Sequence, residues 1–196
     1  MHPVVVDDDL TPPAADWIDD LERLAAGEQP AAPEVRLVGY PVQLGVRQQN
    51  RTADLLRELQ LIELDGGQHP AHTSTPEQLI TFAAALYDTF GPALEEPREE
   101  LDRAFATGVA TIEQRYPLTP GSRAAMLSYA RLMEQGDEFC RTGLVMNLAP
   151  DPEVYALRRW IVEEFVRQYA GEAPRPWAAA YGEIPAQQAG SEREPA

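Results

Sequence analysis

Apolar residues recur every three or four positions in five segments of this 196-residue chain, and proline, glycine or a capping residue bounds each segment. That spacing is the helix period. It predicts a mainly α-helical fold, a bundle of about six helices with one short N-terminal strand. Glu34 to Tyr40 (EVRLVGY) is the one run that alternates like a strand. Pro41 ends it and suits the first turn of a helix reaching about Leu64, with Leu55, Leu56, Leu59 and Ile62 as its stripe and Asp65-Gly66-Gly67 as its stop. Thr75-Pro76-Glu77-Gln78 caps a second helix, marked by Leu79, Phe82, Ala83, Leu86 and Phe90 and ended at Gly91-Pro92. A third is expected from near Pro97 to Tyr116, on the spacing of Leu101, Phe105, Val109, Ile112 and Tyr116. The acids Glu95, Glu96, Glu99, Glu100 and Asp102 suit its positive end. Ser122 to Leu148 reads as one helix, or two hinged at Gly136, with Met126, Tyr129, Met133, Cys140 and Leu144 on one face. Asp151-Pro152-Glu153 caps the last, Val154 to Ala170, whose stripe Val154, Leu157, Ile161 and Phe165 is expected in the core.

Composition divides the chain into three zones. Residues 1–33 hold eight acids against Arg23 alone, with five prolines, and are expected to form an acidic arm that can include a short helix on Trp17, Ile18, Leu21 and Leu24. Such a helix would dock on its own domain or on a partner. Residues 34–177 are expected to be a single helical domain, with the indole of Trp177 pinning the extended Pro174-Arg175-Pro176. Residues 178–196 read as a disordered tail.

The net charge of −16 makes nucleic acid a poor partner, and no apolar run approaches the ~20 residues that span a bilayer. Every one of the 16 basic residues is arginine, which excludes lysine Schiff-base chemistry and a phosphate-loop lysine. The acidic opening MHPVVVDDDL is unlike a secretory leader, and a single cysteine forms no internal disulfide. A cytoplasmic location is expected.

Few residues offer chemistry. His69 and His72 sit in a Gly/Pro loop with no glutamate between them, so a solvated loop is expected rather than a metal pair. Cys140 follows Asp137 and Glu138 and reads as a small apolar core residue. The pairs Glu99-Glu100, Asp137-Glu138 and Glu163-Glu164 diverge around their helices, as solvated faces do. No catalytic residue, metal site or cofactor is expected. One surface stands out: Arg47 and Arg51, four apart, with Gln48 beside Arg47 in a polar girdle. Two guanidiniums there could grip carboxylates of a partner, with the strand Glu34 to Val38 open to edge pairing; ion pairing with Asp54 or the acidic arm is the competing expectation.

Three clusters are distinctive: Asp137-Glu138-Phe139-Cys140-Arg141-Thr142-Gly143; Leu157-Arg158-Arg159-Trp160 through Gln168 to the closing Gly171-x-x-Pro174-x-Pro176-Trp177; and Leu55 to Ile62 after Leu37-x-x-Tyr40-Pro41-Val42. Over about residues 35–177 this pattern resembles an uncharacterised family of small helical actinobacterial proteins, found beside ATP-binding anti-sigma kinases and STAS-domain antagonists. The resemblance implies a cytoplasmic part in partner-switching control of transcription and carries over no catalytic residue. Family members often have histidine where this chain has Gln49-Asn50, a departure that argues against phosphotransfer. The expected function is therefore a non-enzymatic regulatory or adaptor protein that binds another protein. The alternative is a small-molecule sensor with a pocket lined by Trp160, Tyr129, Tyr155 or Phe139.

Overall fold

The computed structural model describes residues 16–24, 30–64, 94–141 and 152–181. The helix expected at 75–90, the His69–His72 loop, the stop at 65–67 and the outer ends of the chain lie outside the described residues. Among the described residues six helices and one two-stranded antiparallel sheet appear, in the order α1 (Asp16–Leu24), β1 (Glu34–Pro41), α2 (Val42–Leu64), α3 (94–106), β2 (Thr111–Pro117), α4 (Ser122–Arg141), α5 (Pro152–Tyr169) and α6 (Trp177–Tyr181). The fold is mainly α. No helix among the described residues is long and apolar enough to cross a membrane.

The second strand corrects the helix expected to run to Tyr116. Helix α3 stops after residue 106 because Gly108, at φ 70°, enters the left-handed region. Val109 N donates to Ala104 O and Gly108 N to Phe105 O, a Schellman closure that satisfies the last carbonyls. Val109, Ile112 and Tyr116 therefore belong to a turn and a strand, although their spacing also fits a helix. Strand β2 then pairs with β1, Val35 opposite Tyr116 and Leu37 opposite Gln114. Between Leu37 and Tyr40 the register slips, and Gly39, at φ 70°, supplies the left-handed residue of the bulge.

Among the described elements helix α5 is central, touching α1, α2, α4, α6 and β1. Its buried set runs through Val154, Leu157, Arg158, Trp160, Val162, Glu164, Phe165, Val166, Gln168 and Tyr169, well beyond a single stripe. Ile161, expected in the core, is only half-buried. One apolar cluster joins the inner face of the sheet (Val35, Leu37, Tyr40) to Leu101, Leu157, Trp160, Phe165 and Trp177. The Trp160 ring lies 5.5 Å from Trp177, edge to face, and Trp177 stacks on Tyr181 at 4.7 Å. Regular structure thus continues to Tyr181, four residues past the boundary expected at 177.

A second cluster explains the acidic arm. Trp17, Ile18 and Leu21 of α1 are buried against Leu127, Ala130, Val162 and Val166, while Leu24 stays exposed. Polar contacts fix the helix in place: Arg123 donates to the Glu22 carbonyl, Arg131 lies 2.6 Å from the Glu22 carboxylate, and Arg159 covers the Trp17 ring at 5.4 Å. The short helix docks on its own domain.

Candidate functional site

The polar girdle of α2 is divided by the fold. Arg47 remains exposed and pairs with Glu153 at 3.2 Å. Gln48 is buried and donates to the Tyr129 hydroxyl at 2.9 Å and to Thr52 Oγ1 at 3.3 Å. Arg51 keeps only 14% of its side-chain surface and donates to Asp137 Oδ1 at 3.0 Å. One of the three residues proposed for partner binding therefore faces out and two face in. Asp54 pairs with Arg57 instead of with Arg47 or Arg51.

The inward pair belongs to a charge network between α2, α4 and α5. Asp137 is buried, which corrects its reading as part of a solvated acid pair. Its Oδ1 takes Arg51 and its Oδ2 takes Arg158, a guanidinium with 1% of its side chain exposed. Arg158 also lies 3.4 Å from Glu134 Oε1 and 5.0 Å above the Tyr155 ring. Burial opposes the Arg158 charge, yet the attraction and hydrogen bond of Asp137 outweigh it and hold its pKa above the ordinary arginine value. Burial also pushes the Glu134 carboxyl up, with Arg158 pulling the other way. Removing such charges from water costs several kcal/mol per ion and is repaid only by good hydrogen bonding. Repayment is incomplete here, because Arg158 Nη1 and Gln48 Oε1 are buried without a hydrogen-bond partner. Cys140 is half-buried, with its Sγ 3.5 Å from Arg51 Nη2, so it lines this network and is not a purely apolar core residue.

A second buried acid, Glu164, corrects the solvated reading of Glu163-Glu164. It is fully enclosed and accepts from Arg167 Nη1 at 2.6 Å, from Gln168 Nε2 at 3.0 Å and from the Arg175 backbone N at 2.9 Å. The last of these bonds fastens the extended segment before Trp177 to α5, helped by Trp160 Nε1 donating to the Arg175 carbonyl at 3.1 Å. Gln168 turns to the other side. It accepts from Arg36 N and donates to Arg36 O, both at 2.9 Å, and so occupies that stretch of the β1 edge as a strand would. The β1 edge expected to be open is closed there by a side-chain amide.

The aromatic residues considered for a pocket separate in the same way. Trp160 is enclosed in the core between Tyr40 and Trp177, whereas Tyr129 and Tyr155 flank the Arg158 network; the Phe139 side chain lies outside the described residues. Sequence reasoning missed Asp137, Arg158, Glu164 and Gln168. A faint signal was present, since Arg158 and Glu164 sit beside the stripe residues Leu157 and Phe165 on a helix that proves to be buried nearly all round. The large exposed apolar side chains are Leu24, Phe105, Val109 and Tyr181 among the described residues. Phe105 and Val109 share one helix end, 51% and 43% exposed, held by the Schellman turn. Comparison with protein-family models, with curated proteins and with solved structures finds no match to this chain.

Proposed function

We propose that the chain is a helical bundle arranged about α5 that acts as a non-enzymatic cytoplasmic regulator or adaptor by binding another protein. The observation that carries this reading is the Phe105–Val109 pair. An aromatic and a β-branched side chain stand exposed at and just past the end of one helix, where burial by a partner would be favourable. Buried charges support the same reading, because Asp137, Arg158 and Glu164 serve to lock α2, α4, α5 and the C-terminal segment together. The family resemblance supplies the first partners to try, an ATP-binding anti-sigma kinase and a STAS-domain antagonist.

The test is capture by the tagged protein in lysate of its native host, followed by titration with any captured protein and with those two regulators. The variant carrying Phe105→Asp and Val109→Asp is expected to keep its far-UV circular dichroism and to lose capture. Undiminished capture by a folded variant would refute this surface as the binding site.

A further inference from the structure

Among the described residues the free edge of the sheet belongs to β2, and its chemistry fits a second copy of the chain. In an antiparallel ladder, residues alternate between those whose N–H and C=O face the partner strand and those whose groups face away. Arg36 faces away from β2, because both its backbone groups bond to Gln168. Arg115, directly opposite Arg36, must therefore face away from β1. Parity carries Glu113 and Thr111 the same way. The bonds flanking the ladder agree: Val42 N donates to Ala110 O and Leu118 N to Pro33 O, which places the even-numbered positions on the β1 side. Among the described residues β2 has β1 as its only partner strand. Thr111, Glu113 and Arg115 thus present a row of main-chain donors and acceptors along an outer edge, with Thr111 and Arg115 exposed.

Charged side chains commonly guard such edges against pairing. A guard works against a copy of itself when like charges meet, and the order of charges here does the opposite. We propose that β2 pairs antiparallel with β2 of a second copy, about a twofold axis through Gln114, to give a continuous four-stranded sheet. In that register Glu113 stands opposite the partner's Arg115, and Arg115 opposite the partner's Glu113. Both are outward-facing residues, so hydrogen-bond parity and charge complementarity select the same alignment. Within the chain Glu113 already accepts from Arg36 at 2.9 Å and pairs with Arg115 at 2.8 Å, so the sheet surface continues as alternating charge across the joint. On the inner face the same register sets Ile112, half-buried now, against the partner's Tyr116. Pro117, opposite the partner's Thr111, can accept but not donate, and ends the ladder.

The experiment is sedimentation equilibrium of the full chain across micromolar concentrations, with charge variants. The wild type is expected to have the mass of two chains. Glu113→Arg alone puts like charges opposite each other, as does Arg115→Glu alone, and each is expected to raise the dimer dissociation constant by at least about tenfold. An equimolar mixture of the two single variants restores both opposite-charge pairs and is expected to dimerise. Far-UV circular dichroism checks folding. Where a charge variant does not fold, Arg115→Pro replaces it, since the Arg115 N–H makes no bond to β1, and this variant is expected to be monomeric. A monomeric wild type, a folded variant that still dimerises like the wild type, or a mixture that stays monomeric would overturn the proposal.

Discussion

Asp137 holds Arg51 with one oxygen and Arg158 with the other, so its removal takes a buried carboxylate from two guanidiniums at once. Asp137→Ala is expected to cost ~3–5 kcal/mol, the usual result of breaking a buried pair from one side, and to lower the urea midpoint accordingly. Arg158→Lys is not conservative either, because it replaces the planar guanidinium that lies over the Tyr155 ring by a strongly hydrated point charge in a buried site. Glu134 adds a pH dependence. Its folded pKa lies above the ordinary 4.5, so the folded state binds more protons than the unfolded state between 4.5 and that raised value. Its contribution to stability therefore falls as pH rises through this window. Glu134→Gln should flatten the slope there, measured as denaturation midpoint against pH; an unchanged slope would exclude Glu134 as its source. These contacts were illegible in the sequence for a physical reason. Asp137 and Glu138 look alike as neighbours on a helix, and only the approach of α2 and α5 makes one buried and leaves the other exposed.

Helices with strong ends were legible element by element. Pro41 before α2, Pro120-Gly121 before α4 and Pro152-Glu153 at the start of α5 all mark real boundaries, and Gly171, at φ 91°, follows α5. Strand β2 was not legible, because Leu101, Phe105, Val109, Ile112 and Tyr116 satisfy a helical period, while the buried Gln114 interrupts the apolar alternation that a strand over Thr111 to Tyr116 would show. Gly108 decided between them, and its weight as a stop appears only with its positive φ. Packing of these elements can be probed at two positions. Leu157→Ala empties a fully buried site and should cost ~2–5 kcal/mol, whereas Ile161→Ala, at a half-buried one, should cost distinctly less. Gly45→Ala tests the seam between β1 and α2. A Cβ at Gly45 would run into the buried Tyr40 ring, so the change should destabilise by ~1–3 kcal/mol despite the better helix propensity of alanine. A neutral or raised melting temperature would show that the ring can yield.

At the scale of the molecule, the two ends of the described chain both close onto α5. Deleting residues 1–10 should leave the thermal midpoint almost unchanged, while a deletion reaching Leu24 removes Trp17, Ile18 and Leu21 from their cluster and should lower it by several degrees. Truncation before Gly171 should be more damaging, since it removes Trp177 from beside Trp160 and the Arg175 N–H from Glu164. Scanning calorimetry of the three truncations orders these contributions. An equal midpoint for all three would mean that neither end belongs to the cooperative unit.

The central position of α5 also sets an order of events during synthesis. Trp17 emerges early but is buried against Val162 and Val166, and the β1 edge at Arg36 waits for Gln168. At about 5–20 residues per second, roughly 8–30 s separate the translation of α1 from that of the end of α5. Until α5 is made, the indole lacks Val162 and Val166 and the strand edge lacks Gln168, so the native cover of both is incomplete. Slowing translation between α4 and α5 would prolong that exposure, whereas slowing it after Trp177 would not.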